Sequence, residues 1–166
     1  PQDAYDILVE AAENPDPVLI LEHIGMYGLR GGLTGWGDNI NQILDKDSVQ
    51  KHLDSGSGCY KIGKAEVIRG GDDATIITYG AMLHIALKAA EILALEGKQI
   101  EIIDLRTIMP FDSETCVNSV KRTGRYMVLQ EAQYSGGFGH TISSRIQEEV
   151  FYHLEAAPVI IGALDT

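Results

Sequence analysis

Basic residues are scarce in this chain: Lys and Arg total 13 against 24 Asp and Glu, a formal net charge of −11. Nucleic-acid binding needs clustered cations facing phosphates, so that class of partner is excluded. The acidic excess suits a basic protein partner and plain solubility equally well. Cysteine is rare too. Cys59 and Cys116 lie far apart without metal-ligand spacing, which excludes a disulfide-stapled scaffold and a cysteine metal centre. They read as reduced thiols of a cytosolic or matrix protein. Long apolar runs are missing as well: no stretch of about 18 apolar residues escapes a charge, which excludes a transmembrane helix. Pro1 to Asp6 has neither the basic nor the apolar region of a signal peptide.

What is present is ordinary globular chemistry, 45% hydrophobic and 22% charged over 166 residues. That length suffices for one domain, or for one domain and part of another. Ala4, Ile7, Leu8, Ala11 and Ala12 recur at helical spacing, and Asn14-Pro15-Asp16-Pro17 must end that helix. Val18-Leu19-Ile20-Leu21 reads as a short, fully buried strand. Six glycines between Gly25 and Gly37, a polar helix over Asn39 to Leu53 and the Asp54-Ser55-Gly56-Ser57-Gly58 run make residues 24–60 a partly flexible linker.

Regularity begins after residue 60. Strands are expected at Ala65–Ile68, Thr75–Thr78, Ile100–Leu105, Tyr126–Leu129 and Pro158–Ile161. Helices are expected at Ala81–Leu95, Ser113 to about Arg122, and Phe138 to about His153. Asp112 is placed to cap the second helix and Gly124 to close it. In the first, only His84, Lys88 and Glu91 are polar, on one stripe, so it should be buried over most of its circumference. Strands alternating with helices imply βαβ units: an α/β fold of about five mostly parallel strands with helices on both faces. The chain stops just after a strand, which reads as a truncation.

Several segments together resemble one family. They are Ile62–Val67 with Gly71–Gly80, Ile103–Thr107 followed by Pro110-Phe111-Asp112, Ser119–Arg125, Gly136-Gly137-Phe138-Gly139, Leu154-Glu155-Ala156 and Asp165-Thr166. In that order and near those spacings they are similar to the C-terminal part of the β subunit of thiamine-diphosphate-dependent 2-oxo acid dehydrogenases, in the transketolase-like superfamily. The resemblance implies a transketolase C-terminal-domain-like fold over residues 61–166. Residues 1–23 then resemble a helix-strand remnant that ends the pyrimidine-binding domain. From Gly28 to Cys59 the chain departs from the shorter, acidic, proline-containing connector usual in the family.

The same resemblance implies what the chain does. The parent enzyme would decarboxylate a 2-oxo acid on thiamine diphosphate and Mg2+ and pass the acyl group to a lipoyl domain. Its partners would be the α subunit, a second β subunit and the subunit-binding domain of the acyltransferase, with no nucleic acid and no membrane. Its compartment would be the bacterial cytoplasm or the mitochondrial matrix. The glutamate and histidine of the chemistry precede the position of Pro1, so no catalytic and no cofactor-binding residue is expected here, and the isolated chain should be inactive. Ala11, Ala12, Asn14 and Asp16 fall where relatives bind potassium, largely through carbonyls at a helix end. Glu155, with Glu148 and Glu149 before it, falls where some relatives meet the acyltransferase. Two other readings stand beside this one: a different transketolase-like enzyme (a transketolase or a deoxyxylulose phosphate synthase), and a non-catalytic interaction module.

Other residues are given structural expectations. Gly136–Gly139 opens a helix whose amides could hold an anion, although tight turning and close packing fit better. His84 is expected at the surface or rim. His23 and Tyr27 are expected to pack or hydrogen-bond near the linker. Asp104 and Arg106 are expected to form an ion pair or to anchor a loop.

Overall fold

The structure, a computed structural model, describes residues 2–27 and 61–165, with side chains from Ile7 onward. The expected polar helix over Asn39–Leu53, the connector after it, the boundary near Tyr60 and Cys59 lie outside the described residues. The first helix, α1, spans Gln2–Glu13. Asn14 ends it by accepting the Asp16 amide on Oδ1 at 2.9 Å, a local turn between two prolines.

Val18–Leu21 does not form the expected buried strand. The segment has no regular structure and no ladder, and Leu19 and Leu21 are 83% and 75% exposed. A strand exists only through its neighbour, and no described strand pairs with this one. His23 leads into a single 3-10 turn at Ile24–Met26.

The five expected strands form one sheet: β1 at Glu66–Arg69, β2 at Ala74–Thr78, β3 at Ile100–Asp104, β4 at Tyr126–Gln133 and β5 at Val159–Ala163. Their spatial order is β1-β3-β2-β4-β5. β1 runs antiparallel to β3 at one edge, and every other pairing is parallel. Three helices connect the parallel strands: α2 at Met82–Leu95, α3 at Ser113–Thr123 and α4 at Gly139–Val150. The family-like expectation of about five mostly parallel strands with helices on both faces is met.

Alternation along each strand divides the core in two. Ile77, Ile103, Val128 and Ile160 face α3 and α4, where they meet Val117, Val120, Ile142, Ile146 and Val150. Ile76 and Ile102 face α2 and meet Leu83, Ala86 and Ala90. The caps of α3 form as the residues predict. Asp112 Oδ1 accepts the Thr115 amide at 3.1 Å, and Gly124 ends the helix at φ 69°.

Helix α2 departs from expectation twice. His84 is 8% exposed, buried rather than at the rim, while Ile85, Ile92 and Leu95 are 45%, 62% and 89% exposed. The helix is therefore not sealed over most of its circumference. Among the described residues it is the one helix on its face of the sheet, so no described helix covers its flank.

Candidate functional site

In an open α/β sheet, ligands favour the carboxyl edge at the point where successive connections leave for opposite faces. Here that point lies between β2 and β4, since α2 and α4 follow them on opposite faces. Gln130, 2% exposed, fills it. Its Oε1 accepts the Gly139 amide at 2.6 Å and the Tyr79 hydroxyl at 3.3 Å, and its Nε2 donates to the Gln133 carbonyl at 3.0 Å.

The glycines around it are required by this contact. A Cβ on Gly137 would stand 2.0 Å from Gln130 Nε2 and 2.6 Å from the Gln133 carbonyl oxygen; one on Gly139 would stand 2.7 Å from Gln130 Oε1. The start of α4, which the sequence offers as an anion seat, is thus taken by an internal amide. Close packing is the role these glycines perform. Gln130 was missed in the sequence, although a glutamine at the end of an apolar run, shortly before the Gly136-Gly137 pair, was its signal.

Around this plug the β4–α4 connection is pinned from outside. Ser135 donates its amide and hydroxyl to Asp165 at 2.9 and 2.7 Å, and these bonds hold the Asp165 carboxyl below its ordinary range. The rings of Tyr134 and His140 meet edge to face at 4.8 Å. His23 Nε2 lies 3.0 Å from the Glu131 carboxylate, tying the segment after α1 to the end of β4. Tyr27 donates to Glu22 at 2.5 Å, which pushes its phenol pKa up. Both residues do what was expected of them: they make hydrogen bonds.

The next loop, after β3, is anchored as expected. Arg106, at φ 57°, pairs with Glu66 on β1, and its amide donates to Asp104 at 3.2 Å. Thr107 accepts the Gly63 amide at 3.0 Å. At the opposite end of the sheet lies a buried polar network that no motif announced. Glu101, 4% exposed, accepts from Ser119 and Arg122, while Thr75 bonds Ser119 at 2.6 Å and Thr123 at 2.8 Å. Arg122 also reaches Asp72 and the Gly71 carbonyl. Each member is partnered, as burial in a medium of low dielectric demands. Its sequence signal was the pair of polar residues, Thr75 and Glu101, inside apolar strands.

Glu148 and Glu149 are exposed on the last turn of α4. Glu155 is exposed as well, but fixed: its amide donates to the Gly124 carbonyl at 2.8 Å and its carboxylate lies 2.8 Å from Arg125. Cys116 is fully buried, and burial pushes its thiol pKa up to about 12, so it is no nucleophile. Among the described residues there is no group of three or more His, Cys, Asp or Glu able to hold a metal ion, and no helix long and apolar enough to cross a membrane.

Residues 63–166 match the family described as Transketolase, C-terminal domain. The chain belongs to that family. Across all 166 residues it is 36% identical to the pyruvate dehydrogenase E1 component subunit beta of Bacillus subtilis (strain 168), covering 45% of that protein. Over 165 residues, 99% of the chain, it is 38% identical to the protein of the same name from Acholeplasma laidlawii, again covering 45% of it. A solved split gene transketolase, an inactive beta4 tetramer, superposes with a TM-score of 0.54 at 30% identity, over 64% of this chain and 34% of that one. The chain spans a little under half the length of these curated relatives. As a transketolase C-terminal domain, it supplies the plugged carboxyl edge and the acidic α4 end described above.

Proposed function

We propose that this chain is the C-terminal part of the β subunit of a thiamine-diphosphate-dependent 2-oxo acid dehydrogenase, acting in the oxidative decarboxylation of pyruvate or a related 2-oxo acid. The identity of 36% and 38% to subunits of that name, running the whole length of the chain, carries the reading. The split transketolase supports the runner-up, another transketolase-like enzyme, at a lower 30% over a shorter span.

The glycine-rich start of α4 does not fit a seat for the cofactor's diphosphate. Gln130 occupies the glycine-rich helix start that could have cradled a diphosphate. No chemical step is assigned to the described residues. Their part in this reading is assembly: contact with the α subunit and a second β subunit, and recruitment of the acyltransferase through Glu155, Glu148 and Glu149. Residues 1–23 would close the pyrimidine-binding domain, where Val18–Leu21 gains the strand neighbours it lacks here. The same reading gives the end of α1 a potassium ion, held by carbonyls near Ala11 and Ala12 with Asn14 and Asp16. The turn at Asn14 leaves the last carbonyls of the helix without intrahelical partners, which suits a hard cation. The compartment would be the cytoplasm of a bacterium.

The test is an assay of the full-length polypeptide, co-expressed with its α subunit, for thiamine-dependent decarboxylation. Turnover of pyruvate supports the reading. Inactivity with pyruvate, branched-chain 2-oxo acids and acetoin together overturns it. Loss of melting temperature on exchanging potassium for a bulky organic cation checks the ion at α1.

A further inference from the structure

Between Glu148 and Glu155 the chain presents an exposed aromatic pair bracketed by carboxylates. Tyr152 and Phe151 are 96% and 60% exposed, and their rings meet edge to face at 5.3 Å. Exposed aromatic surface of this kind is what interfaces use as central anchors. Along the chain Glu148 and Glu149 precede the pair and Glu155 follows it, and all three are exposed. Such a surface complements a protein segment carrying clustered Lys or Arg around an apolar contact.

One cation already sits within it. The guanidinium of Arg125 lies 2.8 Å from the Glu155 carboxylate, and both side chains are about half exposed, at 53% and 61%. The backbone of Arg125 is held separately, because its carbonyl accepts the Thr75 amide at 2.9 Å. Glu155 in turn lies over Gly124, where a Cβ would come within 2.9 Å of its Cγ. The carboxylate is thus presented in one place, with its charge offset by Arg125.

We infer that Arg125 limits how tightly this surface takes a basic partner, because an incoming cation must displace Arg125 from Glu155 or share the carboxylate with it. The inference rests on the proposed function for the identity of that partner, the subunit-binding domain of the acyltransferase. It goes beyond that reading in naming the internal competitor and the aromatic anchor.

The test measures binding of the isolated subunit-binding domain to the full-length β subunit in complex with its α subunit, by equilibrium titration and stopped flow. Arg125→Met should tighten binding about 3- to 10-fold, mainly through faster association, and the gain should shrink at high salt. Glu155→Gln should weaken binding about tenfold, and Arg125→Met added to it should give no further gain. Tyr152→Ala should weaken binding about tenfold through faster dissociation, equally at low and high salt. Melting temperatures near that of the unsubstituted protein confirm that each variant folds. If the unsubstituted complex does not bind the domain, the proposed partner falls and the inference with it. If it binds, and Arg125→Met is neutral, weakens binding, or gains equally without Glu155, the inference alone is overturned.

Discussion

The two faces of the sheet are built from the same kind of side chain and end in different states. On one, α3 and α4 lie side by side, and Ile77, Ile103, Val128, Ile142, Ile146 and Val150 are all fully buried. On the other, α2 is the one helix among the described residues. Met127 and Leu129 of β4 point to that face and are only partly buried. Their register partners on β5, Val159 and Ile161, remain 48% and 44% exposed. A parallel sheet is ordinarily covered on both sides, and its strands carry apolar residues in both directions whether or not the cover is present. Burial thus depends on the helices above a strand, and the composition of the strand does not reveal which face they reach.

The largest expected effect tests that difference directly. Ile103→Ala should cost about 2–5 kcal/mol in a urea titration, whereas Ile161→Ala should cost less than about 1 kcal/mol. Equal costs would mean that the β5 side chain is covered in solution, and the contrast between the faces would collapse.

Next comes the plug at the carboxyl edge. Gln130→Ala strands the Gly139 amide and the Gln133 carbonyl, at a cost of about 1–3 kcal/mol. Gly137→Ala drives a methyl into the same amide and should cost a similar amount. If the two are made together the costs should not add, because the smaller side chain at 130 removes its own part of the clash and leaves only that with the Gln133 carbonyl. Strict additivity in the same titration would show that Gln130 and Gly137 do not share that space.

A smaller effect appears with pH, on the well-covered face. Burial of Asp112 opposes its ionisation, but the amides of Thr115 and Ala65, the Thr115 hydroxyl and the charge of Lys64 outweigh that and hold its carboxyl below the ordinary range. A depressed folded pKa contributes stability that is fully present above the unfolded value and is lost as pH falls through the folded one. Asp112→Asn should therefore flatten the acid limb of the stability curve, read as urea midpoints at a series of pH values. An unchanged acid limb would shift the effect to other carboxylates. The smallest change is expected at Ile92→Gln on the flank of α2: stability within about 0.5 kcal/mol and, in sedimentation, less self-association than the parent.

Much of this domain was readable beforehand, for identifiable reasons. Asp112 and Gly124 bracket α3 because a side-chain acceptor and a residue free to take positive φ are local requirements, satisfied within a few residues. The strands showed themselves through β-branched runs such as Thr75–Thr78. His84 was misplaced because helical periodicity identifies a polar stripe without saying which neighbours lie against it. Val18–Leu21 was misjudged for a related reason: an apolar run promises a strand only if another strand is there to bond it. The anchoring of Arg106 by Asp104 could be read from their proximity in sequence, but not the ion pair of Arg106 with Glu66, which comes from another strand.

By itself the chain determined the period of each element, its caps, the alternation that sends Ile76 and Ile77 to opposite faces, and the motifs that carry its family resemblance. These depend on neighbours within one or two turns, so they are written where they act. Only the tertiary structure decided that Gln130 would fill the glycine turn, that Glu101 would be buried with Arg122 and Ser119, that Arg125 would sit on Glu155, and that Val159 and Ile161 would stay half exposed. Each of those joins groups distant along the chain, and contacts of that kind exist only after strand order and helix handedness have brought them together.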